Sequence, residues 1–485
     1  MLKRHTLAIA ALCTLPIAPF SSGAIALENN EIKSTINDQK NVAVTIYNNN
    51  LALVKDQRKV KLNSGLQKLA IRDVSGQMRP ETALLRSLSN PGSFSTLEQN
   101  FDFDLLTPEK LLEKYVGRTV SIVKTNPTTG EEKVEQATML SATNGVVLRI
   151  GNRIETGIPG RIVYDDIPAN LRDRPTLITQ INNTISTEQT IELSYLTGGL
   201  AWKADYVAEL SPKEDRVDLS GWVTLSNTSG TSYNNAKLQL VAGDVNRVQE
   251  NFPRAMAMGK SVDMMAEAPT PMVEESLLEY HLYSLDHPTT ISENQTKQVA
   301  LLSATGVPAR KELVLRGADY YYQAQYGDLG SKIKVAVFVE FDNKEAAKLG
   351  MPLPKGIMRV YKKDNQGNAQ FVGEDNIDHT PKNEVVRLKL GESFDVTGDK
   401  KQTDFKVLPR PSKGINSYES AYQITLKNAK KEKVLVTIQE PISGDWKITS
   451  ESQPHQKVNS QLAVWKVEIP AESSTILNYR AVVKY

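Results

Sequence analysis

Alternation of apolar and polar residues dominates the chain after about residue 40. One such face, near the middle of the chain, comprises Ile333, Val335, Val337, Val339 and Phe341. The same period of two recurs at 386–390, 434–438 and 465–469, and it is typical of strands that bury one side. Buried parallel strands read instead as continuous apolar runs. The sequence therefore predicts a mainly β protein with a multi-domain antiparallel β-sandwich architecture and few short helices.

Turn-forming residues separate the alternating segments. Asp364–Asn368 (DNQGN) is typical of a β-hairpin connection, and residues 125–131 predict a second hairpin in the same way. The clearest helix signal begins with Thr107 as the N-cap, followed by Pro108 at the first helical position. We expect this helix to end at Gly117, since glycine commonly terminates helices.

The pattern divides the chain into segments of different character. Short strands at close spacing predict a small barrel-like module, and the loss of alternation after residue 246 predicts a flexible insertion. The polar residues 27–39 predict a mobile lead-in. We predict a signal peptide at 1–26, an N-terminal β region at 41–108, the barrel-like module at 117–168, a central β-sandwich region at 175–246 and 277–410, a Met- and Pro-rich insertion at 247–275, and a C-terminal β-sandwich at 415–485.

The first 26 residues have the three parts of a secretory signal peptide. Lys3 and Arg4 precede an apolar stretch at 6–20, and a small-residue cleavage site follows at Ala24–Ala26. The apolar stretch is too short, and too interrupted by proline, to span a bilayer. We therefore expect a periplasmic or secreted protein that has no integral membrane segment after cleavage.

Charge and cysteine content argue against nucleic-acid binding and against cysteine-based chemistry. The chain has 58 Lys and Arg against 56 Asp and Glu, and Lys3 and Arg4 account for the excess, so the mature chain is neutral. A neutral chain without basic runs does not attract a phosphate backbone, which argues against nucleic-acid binding. The single cysteine, Cys13, lies in the leader, so the mature chain has neither a disulfide nor a thiolate metal ligand.

The densest polar cluster is a candidate metal site. It comprises Glu374, Asp375, Asp378 and His379, whose oxygen and nitrogen atoms are ligand types that divalent cations use. The spacing matches neither an EF-hand loop nor the two-histidine zinc helix. Asp and Asn also form local hydrogen bonds in ordinary solvated turns. Both interpretations stay open, and the turn is the favoured one.

Two groups of residues are candidate partner-binding sites. The first is the methionine group Met256, Met258, Met264 and Met265, whose side chains suit adaptable contacts. With His281 nearby, thioethers could also bind Cu(I). The second group is the aromatic run Tyr320, Tyr321 and Tyr322, which could present an aromatic surface to a sugar ring or a protein. Trp202 and Trp222 are predicted to be core residues between sheets.

Several segments resemble a bacterial family known as domain of unknown function 4139. They are Val44–Asp56, Leu111–Thr125, Tyr195–Tyr206 (YLTGGLAWKADY), Gly221–Asn246 (ending AGDVN), Lys297–Leu302, Gly350–Tyr361 (GMPLPKGIMRVY) and Gly373–Pro381 (GEDNIDHTP). The resemblance implies an exported, mostly β protein with a mobile insertion after the AGDVN segment. It implies no reaction, because a fold likeness without catalytic residues does not define a function.

The function predicted from these observations is non-catalytic binding in the cell envelope. The expected partner is an envelope protein or a glycan, and no cofactor is predicted. Few histidines and the lack of a nucleophile motif favour this interpretation over an enzyme. The alternative is a metal-dependent hydrolase that acts on envelope material through the cluster at 374–379.

Overall fold

The computed structural model describes residues 31–48, 50–168, 171–246, 272–409 and 416–485. Within these ranges the chain forms thirty strands and one α-helix, together with four short 3-10 turns. The first strands and the helix are β1 (Glu31–Ser34), β2 (Gln39–Tyr47), β3 (Leu51–Leu62), β4 (Gly65–Arg72), β5 (Leu84–Ser87), β6 (Phe94–Asp102) and α1 (Pro108–Lys114). The next are β7 (Thr119–Thr125), β8 (Glu132–Ser141), β9 (Val147–Ile150), β10 (Arg153–Thr156) and β11 (Arg161–Val163).

The remaining strands include two that are unusually long, β20 with 22 residues and β24 with 24. The strands of the middle of the chain are β12 (Thr176–Asn183), β13 (Thr187–Thr197), β14 (Leu200–Leu210), β15 (Arg216–Asn227), β16 (Tyr233–Ala242), β17 (Val273–Leu277), β18 (Tyr280–Ser284), β19 (Thr289–Ile291), β20 (Gln295–Arg316), β21 (Asp328–Asp342), β22 (Gly356–Lys363), β23 (Ala369–Ile377) and β24 (Val385–Leu408). The last are β25 (Ser417–Asn428), β26 (Val434–Pro441), β27 (Asp445–Glu451), β28 (Gln456–Asn459), β29 (Leu462–Ile469) and β30 (Ser473–Lys484).

Strand pairing confirms the mainly β, sandwich-like architecture made of several sheets. Most pairs are antiparallel, as the alternating pattern predicts. Four pairs are parallel: β1 with β4, β2 with β16, β14 with β22, and β20 with β26. Among the described residues, no helix combines the length and the apolar composition needed to cross a membrane.

The first core lies among a four-stranded sheet, β1-β4-β12-β6, a sheet that contains β2, β3, β13 and β16, and part of the largest sheet. Arg58 connects the first two sheets from a buried position. Its guanidinium pairs with Asp56 at 2.8 Å and donates to the backbone carbonyls of Ser34 at 3.0 Å and Arg72 at 2.7 Å. The prediction of a mobile lead-in at 27–39 is therefore wrong for the described part, because β1 is held by pairing and by Arg58.

The helix and both hairpins form where the sequence predicts them. Thr107 caps α1 by accepting a hydrogen bond from the Lys110 backbone N–H at 3.2 Å, and the chain turns at Gly117 with φ +83°. The hairpins β7–β8 and β22–β23 use the predicted turns.

The sheet at 119–163 has the order β10-β9-β8-β7-β11, with β10 and β11 at opposite edges. It is open in the part that the structure describes, so the barrel-like shape predicted for this segment is not formed.

The largest sheet curves until two of its strands meet. We call the strands β23-β22-β14-β15-β20-β21-β24, in that order, the curved sheet. The two end strands, β23 and β24, are joined by a side-chain contact: Asp375 Oδ2 on β23 accepts a hydrogen bond from the Lys389 backbone N–H on β24 at 2.7 Å. A Cβ at Gly373 would lie 2.3 Å from the Leu390 carbonyl oxygen, so this contact requires glycine. The sheet therefore nearly encloses its inner face.

The long strands β20 and β24 continue from the curved sheet into a second core. The end of β20 pairs with β26, and the second half of β24 pairs with β25. This C-terminal core contains Trp465 and Ile438, and also Leu315, Val335 and Val396 from outside 415–485. The strands after residue 415 therefore share their core with strands of the central region.

Candidate functional site

The predicted metal cluster does not assemble around one point. Glu374 pairs with Arg359 on β22 at 3.2 Å, while Asp375 accepts the backbone N–H of Lys389. Neighbouring strand residues point to opposite faces, which separates these two carboxylates. The described residues contain no group of three or more His, Asp or Glu side chains placed to hold a metal ion. The convergence that the hydrolase interpretation requires, including Asp378 and His379, is therefore not present among them.

Glu374 belongs to a polar row on the outer face of the curved sheet. Arg359 lies between two carboxylates, with Asp205 on β14 at 3.1 Å and Glu374 on β23 at 3.2 Å. Thr224 on β15 donates to the other oxygen of Asp205 at 2.7 Å. This row joins four adjacent strands through charged and polar contacts, which accounts for Glu374 without a metal.

His379 lies where three segments of the family resemblance meet. Its Nδ1 accepts the Lys355 backbone N–H at 3.3 Å, and the Lys355 ammonium pairs with Asp244 at 3.1 Å. Burial, with a further contribution from Lys355, lowers the pKa of His379 below its usual value of 6.5. The Nε2 atom is buried without a hydrogen-bond partner. The imidazole is therefore a half-buried group that supports the β22–β23 region through Nδ1.

The three predicted tyrosines do not share one surface. Residues 319–322 form a 3-10 turn, in which Tyr320 is 53 % exposed, Tyr321 is half-buried and Tyr322 is buried in the C-terminal core. The Tyr322 hydroxyl contacts Glu440 at 3.0 Å and the Tyr479 hydroxyl at 2.9 Å. A surface role for Tyr322 is therefore wrong, because a 3-10 turn directs successive side chains around its axis.

Tyr321 forms part of the surroundings of a buried ion pair. Lys400 Nζ lies 2.6 Å from Glu440 Oε2, with side-chain exposures of 2 % and 1 %. The ammonium also lies 4.4 Å from the ring centroid of Tyr321 and 5.1 Å from that of Tyr422. Burial lowers the pKa of Lys400 and raises the pKa of Tyr422 to about 12. The cluster fixes the packing of the C-terminal core.

The other sequence predictions have mixed outcomes. Trp202 is buried in the first core, as predicted. Trp222 lies opposite Asp205 in the β14–β15 register, on the outer face, and is only half-buried. The prediction that Trp222 belongs to the core is therefore wrong. The methionine group at 256–265 lies outside the described residues.

A cavity of about 170 Å³ lies at one end of the curved sheet, where β20 and β24 leave it for the C-terminal core. Its apolar wall comprises Leu210, Val337, Val339, Val372 and Leu390. Its polar wall comprises Glu214, Lys311, Lys362 and Glu392. We call this space the end cavity. Cavities at the ends of closed or nearly closed sheets are common ligand sites.

Glu214 lies between two lysines in the end cavity. Its Oε1 pairs with Lys362 at 2.5 Å and its Oε2 pairs with Lys311. Burial favours the neutral carboxyl, but the hydrogen bonds from Lys311 and Lys362 outweigh it and lower the pKa of Glu214. Its backbone has φ +59°, a left-handed conformation that is uncommon for glutamate. Sequence reasoning missed this group because its members lie on three separate elements and match no motif.

A second cavity, of about 200 Å³, lies beside the four-stranded sheet. Arg72 pairs there with Asp173, and Arg172 pairs with Glu31 at 3.1 Å. Both guanidinium groups of this cavity are therefore paired with carboxylates, as are the two ammonium groups of the end cavity. The end cavity has five apolar lining side chains against three in the second cavity, with four charged ones in each, and we take the end cavity as the candidate binding site.

The sheets, the shared long strands and the end cavity define a multi-sheet β protein with a small cavity at one end of the curved sheet. A family model described as "Domain of unknown function (DUF4139)" matches residues 191–485, which is more than half of the chain. The protein belongs to this family, as the resemblance indicated. The match does not include the segments 44–56 and 111–125, to which we extended the resemblance. No curated protein matches the chain.

Proposed function

We propose that this protein is exported to the cell envelope and acts there as a non-catalytic binding protein. The charged, apolar and small-residue parts of residues 1–26 support export. The observation that carries the binding role is the end cavity, in which apolar walls surround a few oriented charged groups. A metal-dependent hydrolase has weaker support, because Glu374 and Asp375 are engaged by Arg359 and by the backbone of Lys389.

Export is tested by fractionation and N-terminal sequencing of the full-length product in a Gram-negative host. We expect the mature protein in the periplasmic fraction or in the medium, beginning at Leu27. An Ala26→Phe variant places a large residue at the cleavage site and is expected to retain the leader. An uncleaved wild-type protein in the cytoplasm would contradict the proposal.

Binding is tested by native mass spectrometry of the purified protein after incubation with an envelope extract. We expect a retained ligand that is lost in Val372→Trp, because the indole would occupy the end cavity from its exposed wall. Val407→Trp is the matched control, since Val407 is an exposed strand residue that does not line the cavity. The absence of any adduct, or equal adducts on both variants, would contradict a binding role for this cavity.

A further inference from the structure

Glu214 places a carboxylate where two strands present ammonium groups. Lys311 is on β20 and Lys362 is on β22, so the curved sheet fixes both positions. Each carboxylate oxygen of Glu214 pairs with one ammonium group: Oε1 lies 2.5 Å from Lys362 Nζ, and Oε2 pairs with Lys311 Nζ. Paired lysines around one carboxylate form charge-assisted hydrogen bonds that a carboxylate of another molecule can form equally well.

The element that carries Glu214 differs from those that carry the lysines. Glu214 lies in the turn between β14 and β15, where Ser211 and Asp215 contact each other at 2.8 Å. Its φ of +59° disfavours glutamate relative to glycine or asparagine. Hydrogen bonds hold the turn itself: the Glu214 N–H donates to the Ser211 carbonyl at 3.0 Å, and the Ala309 N–H of β20 donates to the Asp215 carbonyl at 2.9 Å. Rotation of the Glu214 side chain alone would release both ammonium groups without any change in strand pairing.

The walls of the end cavity limit what can replace the Glu214 carboxylate. Val337, Val339 and Leu390 form an apolar surface next to the lysines, in a space of about 170 Å³. This volume suits a side chain of a few carbon atoms. The remaining acidic group at the cavity is Glu392, so withdrawal of Glu214 leaves two cations and one anion. The surplus of a single positive charge favours a ligand with one negative charge over a phosphate dianion.

We propose that the end cavity binds an organic monocarboxylate with a small branched apolar group, whose carboxylate replaces that of Glu214 between Lys311 and Lys362. The inference rests on the proposed binding function and names its ligand class. The same chemistry has two sources: a free short-chain carboxylic acid, or the C-terminal residue of a peptide that ends in an apolar side chain. Glu214 then acts as an internal competitor that occupies the lysines in the absence of ligand.

The test is calorimetric titration of the full mature chain with two carboxylate probes, 4-methylpentanoate and N-acetyl-alanyl-leucine. The amide N-acetyl-alanyl-leucinamide is the matched control, because it differs from the peptide acid only in the charged group. We expect at least one acid to bind and the amide to bind at least about tenfold more weakly. Tight binding of the free acid identifies a small molecule as the source, and binding of the peptide acid alone identifies a chain end.

Two substitutions test the role of Glu214. Glu214→Gln removes the competing charge and is expected to raise acid affinity about tenfold, while Lys362→Met is expected to lower it by about the same factor. Lys433→Met, at an exposed ion pair with Glu468, is the control and is expected to leave affinity unchanged. If Glu214→Gln does not fold, Lys362→Met and the comparison of acid with amide decide the question.

The ligand class is overturned if neither acid binds, if acid and amide bind equally, or if a folded Glu214→Gln protein gains no affinity. These results are distinct from failure of the binding role itself. If neither acid binds but a ligand from the envelope extract is retained and is lost in Val372→Trp, the binding role stands and the carboxylate class is refuted. Failure of both experiments would refute the two proposals together.

Discussion

Replacing Lys400 by methionine removes the ammonium group that neutralises Glu440 and keeps a side chain of similar length. The ion pair is 2.6 Å long and its two side chains are 2 % and 1 % exposed, so water does not reach the carboxylate that is left. The Tyr322 hydroxyl still donates a hydrogen bond to Glu440 Oε2, at 3.0 Å, but it carries no charge to neutralise the carboxylate. The substitution therefore isolates the effect of an uncompensated charge in the C-terminal core.

The expected magnitude follows from the burial of both partners. Removing one partner of a buried ion pair costs about 3–5 kcal/mol, because the remaining charge stays buried or must take up a proton. The loss of cation–π contacts with Tyr321 and Tyr422 acts in the same direction. The double variant Lys400→Met, Glu440→Gln removes both charges and is expected to be more stable than Lys400→Met alone.

Urea unfolding monitored by tryptophan fluorescence measures this loss, because Trp446 and Trp465 lie in the C-terminal core. With a slope of about 2–3 kcal/mol per molar urea, we expect the midpoint to fall by about 1–2 M. Lys433→Met is the control, since its partner is exposed and the pair contributes about 0–1 kcal/mol. Equal midpoints for Lys400→Met and Lys433→Met would refute the reasoning.

Three further substitutions test the fold and the titration of His379. Arg58→Met should lower the free energy of unfolding by about 3–5 kcal/mol in chemical denaturation, because it leaves a buried carboxylate and two backbone carbonyls without their donor. Gly356→Ala should lower the melting temperature, since its Cβ would lie 2.2 Å from the Ala204 carbonyl oxygen, whereas Gly327→Ala meets open space and should not. The pKa of His379 is lowered in the folded state, so its contribution to stability is present above about pH 6.5 and is lost as the pH falls through the folded-state pKa. The urea midpoint should therefore fall less between pH 7 and pH 5 in His379→Gln than in the wild-type protein. A steeper fall in the variant would contradict this.

Local signals in the sequence predicted local structure well. The cap at Thr107 and the turn at Asp364–Asn368 each depend on a few adjacent residues, and both are confirmed. The alternating face at 333–341 is also confirmed, but it serves two cores: Val339 packs in the first and Val335 in the C-terminal core. Periodicity identifies a buried face without identifying what covers it.

The site residues were harder to predict because they depend on how distant strands are ordered. Glu214, Lys311 and Lys362 meet through the pairing of β14, β15, β20 and β22, which no local pattern encodes. Residue type predicts that Trp222 is in the core, yet the register places it opposite Asp205 on the outer face. Conversely, Glu374 and Asp375 are adjacent in sequence, and strand geometry separates them.

Because β20 and β24 pass through both cores, a gene fragment cannot encode one core without strands of the other. A gene fragment that encodes only 415–485 would lack the strand ends that supply Leu315 and Val396 to its interior. Recombination at that boundary would expose apolar surface in both products. The family match at 191–485 includes both long strands and the strands after residue 415.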